Sequence, residues 1–344
     1  MKHTRGNKDW RMLRKLLLAV VVAVAFMSAH LPDAIAGTKQ TLKIGYILAK
    51  NSQLGAGATV FADEVARRTQ GRYRIEQYPN AELGGEVEMM KGVQFGTVDI
   101  AFITGAPMPS FVPEIGIFGI PFLFRDAEHA HAVLDGPIGD ALLAKFAAKG
   151  MIALAWGENG MRHLTNSKHP VATPADLKGL RLRVPQSDTM VAGFKALGAD
   201  PSQLAFPEVY GALQTGRFDG QENPIATIVA SKFNQVQKYL TMSGHIYDPA
   251  VFLMSKDAYE ELSPADRAAF VEAARLGGEE SRRFAAEAEA KGVAYLQQQG
   301  MQVVTSIDKS KFAAAMAPAM PAFEQKYGAA MIERIREYKV VEHR

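Results

Sequence analysis

The fold of this chain is decided by two stretches, Asp176-Leu-Lys-Gly-Leu-Arg-Leu-Arg-Val-Pro185 and Leu204-Ala-Phe-Pro-Glu-Val-Tyr-Gly-Ala-Leu-Gln-Thr-Gly-Arg-Phe-Asp-Gly-Gln-Glu-Asn-Pro224. In the first stretch, apolar side chains alternate with two arginines, which predicts a short strand. Arg183 stands at the end of that strand, where a proline stops it. The second stretch closes with an acid-amide loop before its own proline. This arrangement predicts capture of a small anion and not the breaking of a bond.

Arg183 is the first candidate for holding that anion. In open α/β sheets, ligands bind beyond the carboxyl ends of the strands, and Arg183 is expected at such an end. Its guanidinium is a planar fork of donors that matches a carboxylate. A solvated strand end, whose arginines meet surface acids, fits the same spacing equally well.

Three further residues are weaker candidates on pattern alone. Asn223 is held extended by the proline after it and could donate to the same anion, although an ordinary Asn-Pro turn fits better. Arg162 lies in a third segment of similar type. Phe206 either walls a pocket or belongs to the core, and the core is the commoner case.

The N-terminal 36 residues have the pattern of a secretory signal peptide. A basic head precedes the apolar residues 16–29, and Ala34-Ile-Ala36 supplies a small-x-small cleavage pattern. A membrane anchor is the alternative, but the apolar run is shorter than the roughly 20 residues that a spanning helix needs. We therefore expect cleavage after Ala36 and export to the periplasm.

Composition narrows the class of protein. The leader holds six Lys or Arg and two Asp, so the other 308 residues carry a net charge of −1, against +3 for the whole chain. That charge gives no sign of nucleic-acid binding. The chain has no cysteine, which excludes disulfides, thiolate nucleophiles and Cys-ligated zinc. At about 150 residues per domain, the mature length predicts two lobes.

Alternating strand and helix patterns predict an α/β fold with a mostly parallel sheet. Strands are expected at 42–47, 73–78, 98–103, 152–156, 180–184, 240–242 and 251–254, and early helices near 58–69 and 86–95. A helical pattern of about 37 residues follows over 263–299, about 55 Å long if continuous. Two helices broken at Gly277-Gly278 are nearly as consistent with it.

Other chemical signals are weak, which favours a binding protein over an enzyme. Gly55-Ala-Gly57 lacks the third glycine of a dinucleotide motif. Positions two apart on a helix point in different directions, so His129 and His131 with Glu128 do not predict a metal site. Neither a nucleophile elbow nor a Walker loop is present. We expect no cofactor and no metal.

The chain resembles the DctP-type substrate-binding proteins of TRAP (tripartite ATP-independent periplasmic) transporters. The matching segments are Tyr78-Pro-Asn-Ala-Glu-Leu-Gly-Gly85, Gly116-Ile-Phe-Gly-Ile-Pro-Phe-Leu-Phe124, Arg162-His-Leu-Thr-Asn-Ser-Lys168 and the two stretches quoted first. The resemblance implies a two-lobed, hinged binding protein with a long helix across both lobes. It places lobe 1 at 37–160 plus about 249–285, lobe 2 at 161–248 plus about 286–325, and a C-terminal tail helix at 326–344.

By this resemblance, Arg183 forms a salt bridge with the ligand carboxylate, and Arg162, Asn223 and Phe206 assist it in the pocket. Weaker correspondences place three more residues in the cleft, Glu86, Gln186 and His245. Relatives that bind sialic acid carry polar residues at the positions of Ile47 and Thr104. The apolar Ile47 therefore favours a smaller or partly apolar monocarboxylate.

The expected function is the periplasmic solute-binding component of a TRAP transporter, acting as a monomer with the small and large membrane subunits. Two alternatives stay open from the sequence. One is a periplasmic enzyme acting on a carboxylate, with Glu86, Glu222 or His245 as acid-base groups. The other is a sensory binding protein that reports to a receptor kinase.

Overall fold

The computed structural model describes residues 39–340, and the predicted signal peptide lies outside this part of the chain. Nine strands are present in these residues: β1 (Gln40–Gly45), β2 (Tyr73–Tyr78), β3 (Ile100–Thr104), β4 (Met151–Asn166), β5 (Arg181–Val184), β6 (Asp200–Gln203), β7 (Gly220–Pro224), β8 (Tyr239–Ser255) and β9 (Gln302–Val304). They alternate with helices, so the predicted α/β class is confirmed.

The same residues contain twelve α-helices and short 3₁₀ turns. The helices are α1 (Gln53–Arg68), α2 (Glu86–Gln94), α3 (Ala127–Leu134), α4 (Pro137–Leu143), α5 (Asp188–Ala196), α6 (Val209–Gln214), α7 (Ile225–Ala230), α8 (Lys256–Glu261), α9 (Pro264–Gln298), α10 (Lys309–Ala315), α11 (Met320–Tyr327) and α12 (Ala329–Arg336). The tail predicted as one helix is therefore divided, because a turn at Gly328 separates α11 from α12.

The strands form one sheet in the order β2-β1-β3-β8-β4-β7-β5-β6, with β9 beside β8. Parallel pairs occur between β1 and β3, between β5 and each of β6 and β7, and between β8 and β9. The long strands β4 and β8 run antiparallel to each other and to β7 and β3. The sheet is therefore mixed, and the prediction of a mostly parallel sheet was wrong at its centre.

Strands β4 and β8 connect two groups of strands. The first strand group, β1 to β3, joins the sheet where β3 pairs with the C-terminal part of β8. The second strand group, β5 to β7, joins it where β7 pairs with the C-terminal part of β4. The register between β4 and β8 shifts between Glu158 and Gly160 and again between Arg162 and Leu164. Such irregularities bend a strand and redirect its side chains.

Helix α9 is continuous over 35 residues and contacts β4, β9, the helix α1 that follows β1 and the helix α7 that follows β7, so it packs on helices beside both strand groups. Its glycine pair permits close packing and does not break the helix. A Cβ added at Gly278 would lie 2.1 Å from the backbone oxygen of Trp156, and one at Gly277 would lie 2.7 Å from that of Gly57. Within the described residues, no helix has both the length and the apolar character needed to cross a membrane.

Candidate functional site

A narrow cavity lies where the two strand groups face each other. Its volume is about 10 Å³, which is room for about one water molecule. The residues that line it come from the middle of β4 and from segments beside the strands of both groups: Ile47, Leu48, Glu86, Thr104, Asn159, Arg162, Arg183, Pro185, Phe206, Asn223 and Thr227. The structure thus brings seven of the nine predicted site residues together around one small space.

Arg183 is buried at the end of β5, with 2% of its surface exposed. Its Nε and Nη2 both donate to the backbone oxygen of Leu204, at 2.9 and 2.6 Å. Within residues 39–340, no carboxylate lies within 4 Å of this guanidinium. Burial, followed by the positive charge of Arg162, lowers the pKa of Arg183 to about 9, against the attraction of Glu222 and Glu86. Its charge is therefore buried without an adjacent counterion.

Arg162 is equally buried but is held by two carboxylates. Its Nε and Nη2 donate to the carboxylate oxygens of Glu222 at 2.5 and 2.8 Å, and its Nη1 donates to Oδ2 of Asp248 at 2.8 Å. Nη2 also donates to the backbone oxygen of Glu222 at 2.6 Å. Burial alone would lower the pKa of Arg162, but the two carboxylates raise it above its ordinary value. With four of its five N–H groups engaged, Arg162 has at most one left for a ligand.

His245 lies behind this ion pair and outside the cavity wall. Its Nε2 is 3.1 Å from Oε2 of Glu222, and its Nδ1 is 2.7 Å from the hydroxyl of Ser243. Burial lowers the pKa of His245, so the neutral ring donates through Nε2 and accepts at Nδ1. The structure therefore corrects the predicted placement of His245 in the cleft. Glu222, a candidate acid-base group, is occupied by Arg162.

Glu86 begins α2 on the side of the first strand group. It is 8% exposed, and its Oε1 accepts a hydrogen bond from the backbone N–H of Thr104 at 2.7 Å. Burial raises the pKa of Glu86 to about 7, and the hydrogen bond from Thr104 only partly opposes that rise. Thr104 ends β3, so its backbone and side chain are both fixed at the cavity edge.

Asn223, Phe206 and Ile47 also line the cavity. Asn223 is buried on β7, and its Nδ2 donates to Oε1 of Gln221 at 2.5 Å, so its orientation is set by that contact. The ring centre of half-buried Phe206 is 6.0 Å from Cζ of Arg183. Gln186 is half-buried and is not part of the cavity wall, whereas the preceding Pro185 is.

Sequence reasoning missed four residues of the wall, which are Leu48, Asn159, Pro185 and Thr227. Two of them join the strand groups through Gln53 of α1, whose Nε2 donates to Oδ1 of Asn159 at 2.8 Å and to the hydroxyl of Thr227 at 2.9 Å. A polar Asn159 inside a buried strand was the only signal in the sequence that could have indicated this contact.

The two histidines of α3 form hydrogen bonds within the protein. Nε2 of His129 is 2.8 Å from the backbone oxygen of Ile335, and Nε2 of His131 is 2.6 Å from Oε2 of Glu158. Among residues 39–340, no group of three acidic or histidine side chains is arranged to hold a metal ion. The cavity thus combines the buried guanidinium of Arg183 with hydrogen-bonding groups and an apolar wall around it.

Comparisons with known proteins identify the family of the chain. The family model of bacterial extracellular solute-binding proteins, family 7, named DctP, matches residues 44–326. A solute-binding protein of Verminephrobacter eiseniae is 48% identical over 303 residues, which cover 88% of this chain and 90% of that protein.

Two solved structures are similar throughout. A TRAP periplasmic solute-binding protein from Polaromonas sp. JS666, bound to D-erythronate, has a TM-score of 0.86 and 47% identity, covering 87% of this chain and 99% of its own. One from Bordetella bronchiseptica, with density interpreted as pantoate, has a TM-score of 0.86 and 45% identity, with the same coverage of 87% and 99%. The chain therefore belongs to the DctP family, the periplasmic substrate-binding proteins of TRAP transporters.

Proposed function

We propose that this protein captures a small organic monocarboxylate at Arg183 and delivers it to the membrane subunits of a TRAP transporter. The observation that carries the proposal is a buried guanidinium with no carboxylate within 4 Å among the described residues. Burying an unpaired charge is costly, and a ligand carboxylate would supply the missing partner. The bond would be charge-assisted and could be bidentate, since Nη1 donates to no acceptor among residues 39–340 and Nη2 has a second N–H.

The remaining wall supports a compact hydroxy acid as the ligand. Ile47, Leu48 and Phe206 offer apolar surface, whereas Thr104 and Asn223 offer hydrogen-bonding groups. The D-erythronate and pantoate assigned to the two similar structures are both small monocarboxylates with hydroxyl groups. We therefore expect the same class of ligand here, which agrees with the partly apolar monocarboxylate that Ile47 favours.

Capture requires the walls of the cavity to separate. A space of about 10 Å³ does not admit an acid of several carbon atoms, so the ligand enters an open form and the lobes close on it. The register shifts of β4 and β8 on either side of residues 160–162 are suited to act as the hinge. Closure expels water, which strengthens the contact between Arg183 and the carboxylate. The two lobes of this proposal are residues 37–160 plus about 249–285, and residues 161–248 plus about 286–325.

Calorimetry with D-erythronate and pantoate tests the assignment. Arg183→Ala should weaken binding at least about 30-fold, because a buried carboxylate loses its partner. Arg217→Ala is the matched control, since Arg217 is exposed in the same part of the chain, and it should bind like the wild type. If Arg183→Ala binds as tightly as the wild type, or if the wild type binds neither acid, the proposal is wrong.

Two further measurements separate the alternative functions. An NMR spectrum of the bound acid that is unchanged over hours supports a binding protein, whereas conversion of the acid would favour an enzyme. Reconstituted membrane subunits that transport the acid only when this protein is added would support transport. Normal ligand binding without such transport would favour the sensory role.

A further inference from the structure

The cavity holds a second ionisable group without an ion-pair partner. Glu86 lines the same small space as Arg183, and among residues 39–340 no Lys, Arg or His nitrogen lies within 4 Å of its carboxylate. Its carboxylate accepts a hydrogen bond from the backbone N–H of Thr104 at 2.7 Å, and the side chain of Thr104 also helps to lower its pKa. The two groups have opposite charge and line the cavity from different elements, Glu86 from the start of α2 and Arg183 from the end of β5, and each shifts the pKa of the other.

The charges around Glu86 come from few elements. Helix α2 packs against β3, which has no titratable side chain, and against β8. Asp248 of β8 raises the pKa of Glu86, and Arg183 of β5 lowers it, both by less than burial does. The other titratable groups of α2 and β8 are Glu88, Lys91, Tyr239, His245 and Tyr247. His245 contacts Glu222, and Tyr247 donates to Glu158, so neither neutralises Glu86.

We propose that Glu86 takes up one proton when a monocarboxylate binds Arg183, and that the neutral carboxyl group then donates a hydrogen bond to the ligand. This inference rests on the proposed function. The ligand cancels the positive charge that favours ionised Glu86 and adds a negative charge beside it. The proton comes from the solvent, an O–H bond forms on Glu86, and no other bond changes. Burial has already raised the pKa of Glu86 to about 7, so a small further rise suffices.

The same arrangement selects ligands by charge. One carboxylate is matched by Arg183, but a second carboxylate in the cavity would meet the negative charge of Glu86. Arg162 cannot compensate for it, because this guanidinium already binds both Glu222 and Asp248. Ligands with one negative charge are therefore favoured over those with two, and a hydroxyl or carbonyl group facing Glu86 is favoured over a second acid.

Calorimetry with D-erythronate in phosphate and in Tris, at pH 6, 7 and 8, counts the protons taken up. For the wild type we expect uptake of about half a proton per ligand at pH 7 and about one at pH 8, and an affinity that falls on the order of tenfold from pH 6 to pH 8. Glu86→Gln should take up no proton and bind with little pH dependence. Glu88→Gln, an exposed change on the same helix, should behave like the wild type.

The window from pH 6 to pH 8 isolates Glu86. Erythronate is ionised throughout it, the pKa of His245 is lowered by burial, and that of Arg183 is about 9. Wild-type binding without proton uptake, or unchanged uptake in Glu86→Gln, overturns the inference and leaves the role of Arg183 intact. If wild type does not bind erythronate, or Arg183→Ala binds it equally well, the proposed function fails and this inference fails with it.

Discussion

Two arginines at the same cavity are buried to the same 2% of exposed surface but have opposite surroundings. Arg162, in the middle of β4, is bound by the carboxylates of Glu222 and Asp248. Arg183, at the end of β5, donates only to the backbone oxygen of Leu204 within the part of the chain that the structure describes. A buried charge that has its partner in the protein stabilises the structure. A buried charge without such a partner is suited to meet one on a ligand.

The directions of the two pKa shifts express this difference. Both guanidinium groups lose hydration, which lowers the pKa of each. For Arg162 the two carboxylates outweigh this loss and raise the pKa, whereas for Arg183 no adjacent carboxylate does so and the pKa falls to about 9. The arginine with the lowered pKa is the one that gains most from an incoming anion.

The largest expected effect is a loss of stability when Arg162 is replaced. Arg162→Met leaves two buried carboxylates without their cation and should lower the free energy of unfolding by about 3–5 kcal/mol. Urea denaturation of the ligand-free protein measures it, with Arg217→Met as the control for loss of an exposed arginine. A loss below about 1 kcal/mol would mean that the carboxylate partners of Arg162 do not stabilise the folded protein as expected.

Arg183→Met should show the reverse pattern. Removing an uncompensated buried charge is expected to leave the free energy of unfolding unchanged or to raise it by up to about 2 kcal/mol, even though two hydrogen bonds to Leu204 are lost. Binding of D-erythronate should weaken at least about 30-fold in the same variant. Denaturation and calorimetry on one preparation give both values. A destabilisation similar to that of Arg162→Met would break the comparison.

Glu86→Gln tests the acid that lines the cavity with Arg183. A carboxyl group whose pKa rises on folding to about 7 costs stability once the pH exceeds its unfolded value, and this cost is complete above pH 7. The variant should therefore be about 1–3 kcal/mol more stable than the wild type at pH 8, and no more stable at pH 4. Urea denaturation at both pH values, without ligand, measures the difference. Equal gains at both pH values would show that packing, and not ionisation, is the cause.

Arg181→Ala should have the smallest effect. Arg181 precedes Arg183 by two residues, but its side chain is 47% exposed and is paired with Asp219. Its hydrogen bonds help to lower the pKa of Asp219 to about 2, so their stabilisation is present above pH 4 and is lost as the pH falls towards 2. We expect a change below about 1 kcal/mol at pH 7 and unchanged ligand affinity. A large loss of binding would indicate that the ligand does not bind at Arg183.

Much of the local structure could be predicted because strand and helix periods are short-range. The strand at 73–78 has the predicted bounds. The separate strands at 240–242 and 251–254 were a wrong prediction, since they belong to one strand, β8. Glycine and proline commonly interrupt strands, and the sequence places Gly244 and Pro249 between the two predicted strands. In the structure, Gly244 has a φ of 51°. Pairing with β3 and β4 keeps the strand continuous through both residues.

The candidate site was predictable in part. Arg183 was expected at a strand end and Glu86 at a helix start, and both line the cavity together with Asn223, Phe206 and Thr104. Contacts between residues far apart in the chain could not be predicted. The partners of Arg162 are 60 and 86 positions away, and the position of His245 behind Glu222 depends on how β8 bends.

The sequence by itself determined the α/β class, the family and a guanidinium at a strand end before a proline, because alternation and chain breakers act over a few residues. Only the tertiary structure decided which arginine is available to a ligand. Desolvation and Coulomb attraction depend on burial and on distances of a few ångströms, and these distances exist only once Glu222 and Asp248 have been brought beside Arg162.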